Sequence, residues 1–307
     1  MSLDRAPAFT MRQLVAFVAV AETGTISAAA ERLLVSQSAV SLAVTELEKA
    51  MSAQLCVRRR AHGVQLTPTG ESVLIRARAL LQQAADIEAE TVGAGGELKG
   101  RLVIGCYATV APTILPPLLY EFRRSHPGVT LQFREAMADE LEAALERGEL
   151  DAVIVYDLEI PRQWRTATLW TRNPALVVSA EHRLADDPEP VDLVSVADEP
   201  MVLLDAAPSS NHALQVCALA GFTPRIGYRS ANYETVRAFV GRGLGWTVML
   251  NQPNLDRTYG GMQIVLRPIE RPVLEPVRLV IAWRPDVLLS RVARAFLAFA
   301  TERAATL

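Results

Sequence analysis

Two short clusters near the N-terminus carry side chains suited to a polyanion with readable edges. Ser36, Gln37, Ser38 and Ser41 stand together at what reads as the start of a helix. Short hydroxyl and amide groups there can reach base edges, and the free backbone N–H groups can meet a phosphate. Arg58, Arg59 and Arg60 form an unbroken run, with His62 beside them. Clustered guanidiniums suit phosphate or minor-groove contact. A solvated helix face and a solvated charge run are the competing readings. The surrounding elements weigh against them.

Thr10 with Gln13 three residues on forms a capping-box start, followed by Leu14, Phe17, Val18 and Ala21 at helical spacing, and Gly24 ends that helix. A second helix starts near Ser27, with Ala29, Ala30, Leu33 and Leu34 on one face. Ser36 then caps a third, whose Val40, Val44 and Leu47 fall on one stripe. The gap between the last two is the length of a helix-turn-helix turn. Residues 55–58 and 64–66 read as paired strands around a polar turn, a wing whose tip holds the arginine run.

This stretch resembles the DNA-binding domain of the LysR-type transcriptional regulators. The matching residues include Glu22 to Thr25, Ser27 to Leu33, Val35 to Ser41, Glu46 to Glu48, Leu55, Arg58 and Leu66 to Gly70. The family layout covers the whole chain. Some residues depart from its habits. Ser38 stands where proline is common, Leu42 and Ala43 where polar readers are frequent, Ser52 where glycine is usual and Cys56 where phenylalanine is. These departures bear on base preference and wing packing rather than on the class.

Bulk properties fit a basic head on an acidic body. The first seventy residues hold seven basic and five acidic side chains, while the whole chain of 307 residues has a net charge of −3. That length suits about two domains, and a 50% hydrophobic content excludes disorder. No apolar run reaches the roughly 18–20 residues of a membrane helix, and no signal peptide is evident. A cytoplasmic protein with no membrane partner is expected. Cys56, Cys106 and Cys217 lie far apart without metal-ligand spacing.

Thr67 and Pro68 open a further helix, along which Val73, Ala77, Leu80, Ala84 and Ile87 recur as an a/d seam. That seam is expected to form a dimer interface; packing on the helix's own domain is the alternative. The resemblance implies homodimers that pair into homotetramers, whereas the residues alone support only the dimer. The expected division is a winged helix-turn-helix over 1–68, a linker helix over 69–93, a hinge over 94–100 and an effector-binding domain over 101–307. The hinge is read from Gly93, Gly95, Gly96 and Gly100.

From Arg101 onward, apolar runs alternate with helical patterns, the mark of α/β architecture. Strands are expected at 102–105, 129–134, 151–156, 176–179, 201–204, 225–228, 245–250 and 277–282. Helices are expected at 112–125, 139–147, 210–220, 233–241 and 286–303. The resemblance implies a two-lobed periplasmic-binding-protein-like fold, one lobe over 101–171 and 275–307, the other over 172–274. Ligands in open α/β sheets sit beyond the carboxyl ends of strands. That rule and the resemblance select Thr109, Tyr156, Asp205, Ser209 and Asn232 as effector contacts. Thr109, Ser209 and Asn232 could instead be helix caps.

The expected effector is a small polar metabolite bearing a carboxylate or an amine; Asp157 and Asp205 near the cleft would favour the amine. Gly241, Gly243 and Gly245 follow a helix and precede a strand, the wrong order for a phosphate loop. Ser209 and His212 lack a triad pattern, so no catalytic residue, metal or cofactor is expected. Promoter DNA, a second copy of the chain and the effector are the expected partners, with RNA polymerase as a further candidate.

Overall fold

The computed structural model describes residues 7–59, 63–92, 98–187, 189–250 and 256–304; for residues 58, 59, 86 and 88–92 only the backbone is described. Helix α1 (Met11–Thr23) is fixed at both ends by local bonds. Thr10 Oγ1 accepts from Gln13 N at 3.3 Å, Gln13 Oε1 accepts from Thr10 N at 2.7 Å, and Gly24 closes the helix at φ 72°. Helix α2 (Ile26–Leu33) is capped by Thr25, whose hydroxyl accepts from Ala28 N at 3.1 Å. Three residues later α3 (Gln37–Met51) begins under the cap of Ser36. Leu14, Phe17, Val20, Val40, Val44 and Leu47 are buried where the three helices meet.

Ser52 ends α3 at φ 51°. This left-handed backbone explains the family habit of glycine there, and costs a non-glycine residue about 1–2 kcal/mol. The wing is the antiparallel pair β1 (Cys56–Arg59) and β2 (Gly63–Leu66), with Arg59 opposite Gly63. Two contacts dock it. Glu48 Oε1 on α3 accepts from Leu55 N and Cys56 N at 2.8 and 2.9 Å. Val64 N donates to Gly24 O at 2.7 Å, and a Cβ on Gly63 would lie 2.4 Å from that same oxygen, so only glycine fits.

Thr67 caps α4 (Pro68–Val92), its hydroxyl accepting from Gly70 N at 2.9 Å. The expected dimer seam needs correction over its first half. Val73 and Leu80 pack against the core of the chain's own helix-turn-helix, and Ala77, 3% exposed, is sealed within it. An a/d stripe is simply an apolar stripe, and here the nearest apolar surface is the head itself. Ala84 is half-buried and Ile87 is 65% exposed. Arg78, on the same helix, ties three parts together: it pairs with Glu22 of α1 at 3.2 Å and donates to the carbonyl of Arg147 at 2.8 Å.

Lobe I begins with β3 (Gly100–Tyr107), α5 (Ala111–Ser125), β4 (Val129–Ala136), α6 (Ala138–Glu146), β5 (Ala152–Tyr156) and β6 (Arg165–Arg172). Gly100 is therefore the first residue of a strand, paired with Val129, and not part of a hinge; Gly93, Gly95 and Gly96 lie outside the described residues. Lobe II holds β7 (Ala175–Ser179), β8 (Val191–Asp192), β9 (Met201–Leu204), α7 (Ser209–Leu219), β10 (Ile226–Ser230), α8 (Tyr233–Gly241), β11 (Thr247–Met249) and β12 (Ile264–Arg271). The chain then returns to lobe I with β13 (Val277–Trp283) and α9 (Arg291–Ala304).

The lobe I sheet has the order β4-β3-β5-β13-β6, with β3 parallel to β4 and β5 and β13 antiparallel to β5 and β6. Lobe II has β11-β7-β12-β8 and the parallel pair β10-β9, joined by a bridge between Met201 and Trp246. Phe122 of α5 meets Phe296 and Phe299 of α9 edge-on at 5.1 and 5.3 Å, over one face of the lobe I sheet. Three strands escape the sequence reading: β6, β12 and the two-residue β8. β6 has a single buried residue and lacks an apolar run, and β12 contains Pro268, which cannot donate to a ladder. The last helix starts at Arg291, five residues after the expected Asp286. Asp286 instead pairs with Arg284 at 2.6 Å, and Ser290 caps the helix by accepting from Ala293 N at 3.0 Å.

Candidate functional site

The first site is the solvent face of α3. Val40, Val44 and Leu47 turn inward, which leaves Gln37, Ser38, Leu42 and Thr45 exposed and Ser41 half-buried. Ser36 is committed to its cap: its Oγ accepts from Ala39 N at 3.2 Å and lies 2.9 Å from Ser38 Oγ. Leu42 and Thr45 complete the face and were not selected from sequence. Leu42, 62% exposed, is an apolar group at a position that can meet a thymine methyl. The signal was its spacing of four from Ser38. Arg58 and Arg59 lie in β1 at the wing, and Arg60 and His62 lie outside the described residues.

The second site lies between the lobes. β3 and β5 end side by side in lobe I, bringing Tyr107 and Tyr156 edge-to-face at 5.9 Å. Tyr107 reaches across to lobe II, where its hydroxyl donates to Ala206 O at 2.9 Å and meets Ser209 Oγ at 3.2 Å. Thr109, Tyr156, Ser209, His212 and Tyr233 line a small cavity of about 10 Å³ that shares Ser209 with this bridge. The hydroxyl of Tyr156 and Nε2 of His212 are buried without a hydrogen-bond partner among the described residues. Burial raises the phenol pKa of Tyr156 well above its ordinary value and lowers that of His212, so both are neutral near pH 7. Burial also raises Tyr107, opposed by hydrogen bonds with Ser209 and Thr109.

A larger groove of about 460 Å³ adjoins the cavity through Tyr156 and runs to Asp205, Pro208 and Ala231. Thr109, Tyr156 and Ser209 thus come together, and Asp205 stands at the groove. Thr109 and Ser209 are not caps: α5 is headed by Val110 and α7 by Pro208, neither with a side-chain cap bond. Asn232 needs correction. Its Oδ1 accepts from Thr235 N at 2.9 Å to cap α8, and it lines neither cavity nor groove. Asp157 is also spent elsewhere, pairing with Arg278 at 2.6 Å between β5 and β13. Tyr107 and His212 were missed as contacts. The legible signal was a polar atom closing an otherwise apolar strand, which must find a partner outside its own sheet.

A winged helix-turn-helix carried by a long helix onto a two-lobed α/β body defines a class: a DNA-binding transcriptional regulator with an effector-binding domain. Residues 11–71 match the bacterial regulatory helix-turn-helix protein, lysR family, and residues 95–305 match the LysR substrate binding domain. The chain belongs to the LysR family of transcriptional regulators. A probable hydrogen peroxide-inducible genes activator of Mycobacterium avium is 34% identical over 245 residues, covering 78% of this chain and 77% of that one. The C-terminal domain of a probable LysR family regulator from Rhodococcus sp. RHA1 is 51% identical, with a TM-score of 0.65, over 66% of this chain and all of that one. HinK of Pseudomonas aeruginosa, also a LysR family regulator, is 31% identical with a TM-score of 0.65, over 97% of this chain and 100% of that one.

Proposed function

We propose that two or more copies of the chain read a promoter with the N-termini of their α3 helices, and that a small polar metabolite between the lobes sets the geometry of that assembly. Gln37, Ser38 and Ser41 read base edges with Leu42 beside them, while Arg58, Arg59 and Arg60 grip phosphates. Thr109, Tyr156 and Ser209 hold the metabolite, with Asp205 at the rim. Ala84 and Ile87 remain for contact between copies. The head takes residues 1–68, the linker helix 69–93 and the sensor 100–307. The protein works in the cytoplasm, performs no turnover and passes its output to RNA polymerase.

The supporting observation is the juxtaposition at the lobe boundary. Tyr107 joins the lobes where Tyr156 and His212 keep buried polar atoms without a partner among the described residues. A ligand that satisfies those atoms binds one lobe arrangement better than another, and only such differential affinity can shift the equilibrium. Mobility shift with the promoter beside the gene tests the reading. The purified full-length protein should retard that fragment at low salt, and a bound metabolite should change the pattern. No retardation would overturn it.

The M. avium relative raises peroxide sensing as a rival. Here all three cysteines are buried. Burial pushes Cys217 up to about 11 and Cys106 further still. Thiolate is the reactive form, so these residues are poor peroxide targets.

A further inference from the structure

The groove beside Tyr156 carries charge of one sign. Asp139 and Glu142 of α6, Glu159 of the loop after β5 and Asp205 of lobe II all line it, and no Lys, Arg or His does so among the described residues. Asp139 and Glu142 have no ion-pair partner among those residues. Glu159 is bonded only to a neutral group, the Asn211 amide at 3.2 Å. Asp205 has Arg229 at 3.7 Å, with both side chains about half exposed. Four carboxylates therefore face the groove against one loosely held guanidinium.

A group of acidic residues is not in itself a site. A second feature makes this one: Tyr156, 1% exposed, lines both groove and cavity, and its hydroxyl has no partner among the described residues. The groove is otherwise largely apolar and aromatic, lined by Tyr107, Met137, Leu158, Ile160, Pro161 and Trp164. At about 460 Å³ the groove falls within the range of roughly 300–1,000 Å³ usual for small-molecule sites.

We infer that the effector is an amine with a compact apolar body, its ammonium held among Asp139, Glu142, Glu159 and Asp205 and its body against the aromatic wall by Tyr156. This rests on the cleft being the effector site. An ammonium supplies the counter-charge that the carboxylates lack, and aromatic faces also attract cations. A carboxylate would add a fifth negative charge to a groove whose lining, among the described residues, holds no cation. Asp139 and Glu142 come from lobe I and Asp205 from lobe II, so a bound cation draws the lobes together.

Three probes of one shape and different charge test the assignment by calorimetry on the full-length protein: tyramine, the neutral alcohol tyrosol and the anion 4-hydroxyphenylacetate. Tyramine should bind at least tenfold tighter than either of the others. Glu142→Gln and Asp139→Asn, both on accessible positions of α6, should each weaken tyramine at least threefold without moving the urea midpoint. Tyr156→Phe should weaken tyramine and tyrosol alike. If 4-hydroxyphenylacetate binds as tightly as tyramine and is weakened by Tyr156→Phe, the cleft is the effector site and the cationic class is wrong. Failure of tyramine to bind at millimolar concentration, or binding indifferent to both α6 variants, also overturns the class; promoter mobility shift judges the effector reading separately.

Discussion

The hydroxyl of Tyr107 in lobe I lies 2.9 Å from the carbonyl of Ala206 and 3.2 Å from the hydroxyl of Ser209, both in lobe II. One side chain at the end of a buried strand thus spans the boundary that the effector is proposed to occupy. Tyr107→Phe keeps the ring against Tyr156 and removes only this bridge. The Ala206 carbonyl still accepts from Ser210 N at 3.1 Å, so the cost is that of one hydrogen bond, about 0.5–1.5 kcal/mol. Urea denaturation should show that loss, and mobility shift should show a weaker response to effector at unchanged affinity for DNA in its absence.

The proposed division of the head into base readers and phosphate grips predicts two different mutant phenotypes. Gln37→Ala should cost about 1–3 kcal/mol of discrimination at one base position, leaving non-specific affinity intact. Arg59→Ala should weaken all sequences alike and lower the salt slope by about 0.9 per lost phosphate contact. Fluorescence anisotropy over a salt series, with operator and scrambled duplexes, checks both. Identical behaviour of the two variants would remove the distinction.

His212 gives the cleft a pH dependence of defined sign. Burial lowers its pKa, so between the folded value and the ordinary histidine value of about 6.5 the unfolded chain binds the proton and the folded chain does not. Its contribution is full above about pH 6.5 and declines as pH falls toward the folded pKa. Unfolding free energy should therefore drop from pH 8 to pH 5.5, and His212→Gln should flatten that slope.

Peroxide should leave the regulator unchanged. With Cys217 pushed up to about 11, almost none of it is thiolate at pH 7.5, and Cys56 and Cys106 are buried as well. Intact mass after exposure to hydrogen peroxide should show no cysteine oxidation, and DNA retardation should be the same before and after. A sulfenic or disulfide adduct with altered retardation would restore the peroxide reading.

Local chemistry was legible wherever its partners lie within a few residues. The Thr10–Gln13 box, the Ser36 cap, the Thr67–Pro68 helix start and the Val40–Val44–Leu47 stripe are read from spacing alone, because each is satisfied within a turn or two of the same helix. Buried strands such as β5 and β9 were legible too, since burial on both faces demands continuous apolar runs. Edge strand β6 and the proline-bearing β12 were not; their pairing is decided by neighbours distant in the chain.

The sequence by itself determined the reading head, the linker helix and the alternation that makes the sensor α/β, and it brought Thr109, Tyr156 and Ser209 onto one list. Only the tertiary structure decided which residues of that list face one another. Asn232 and Ser209 both stand at helix starts, yet Asn232 is consumed by its own helix while Ser209 meets Tyr107 across the cleft. Val73, Ala77 and Leu80 form a stripe whose period fixes its existence but not its partner, and that partner is the chain's own head. The physical reason is the same in each case. Spacing fixes which side chains share a face, whereas what covers that face depends on surfaces brought together from distant parts of the chain.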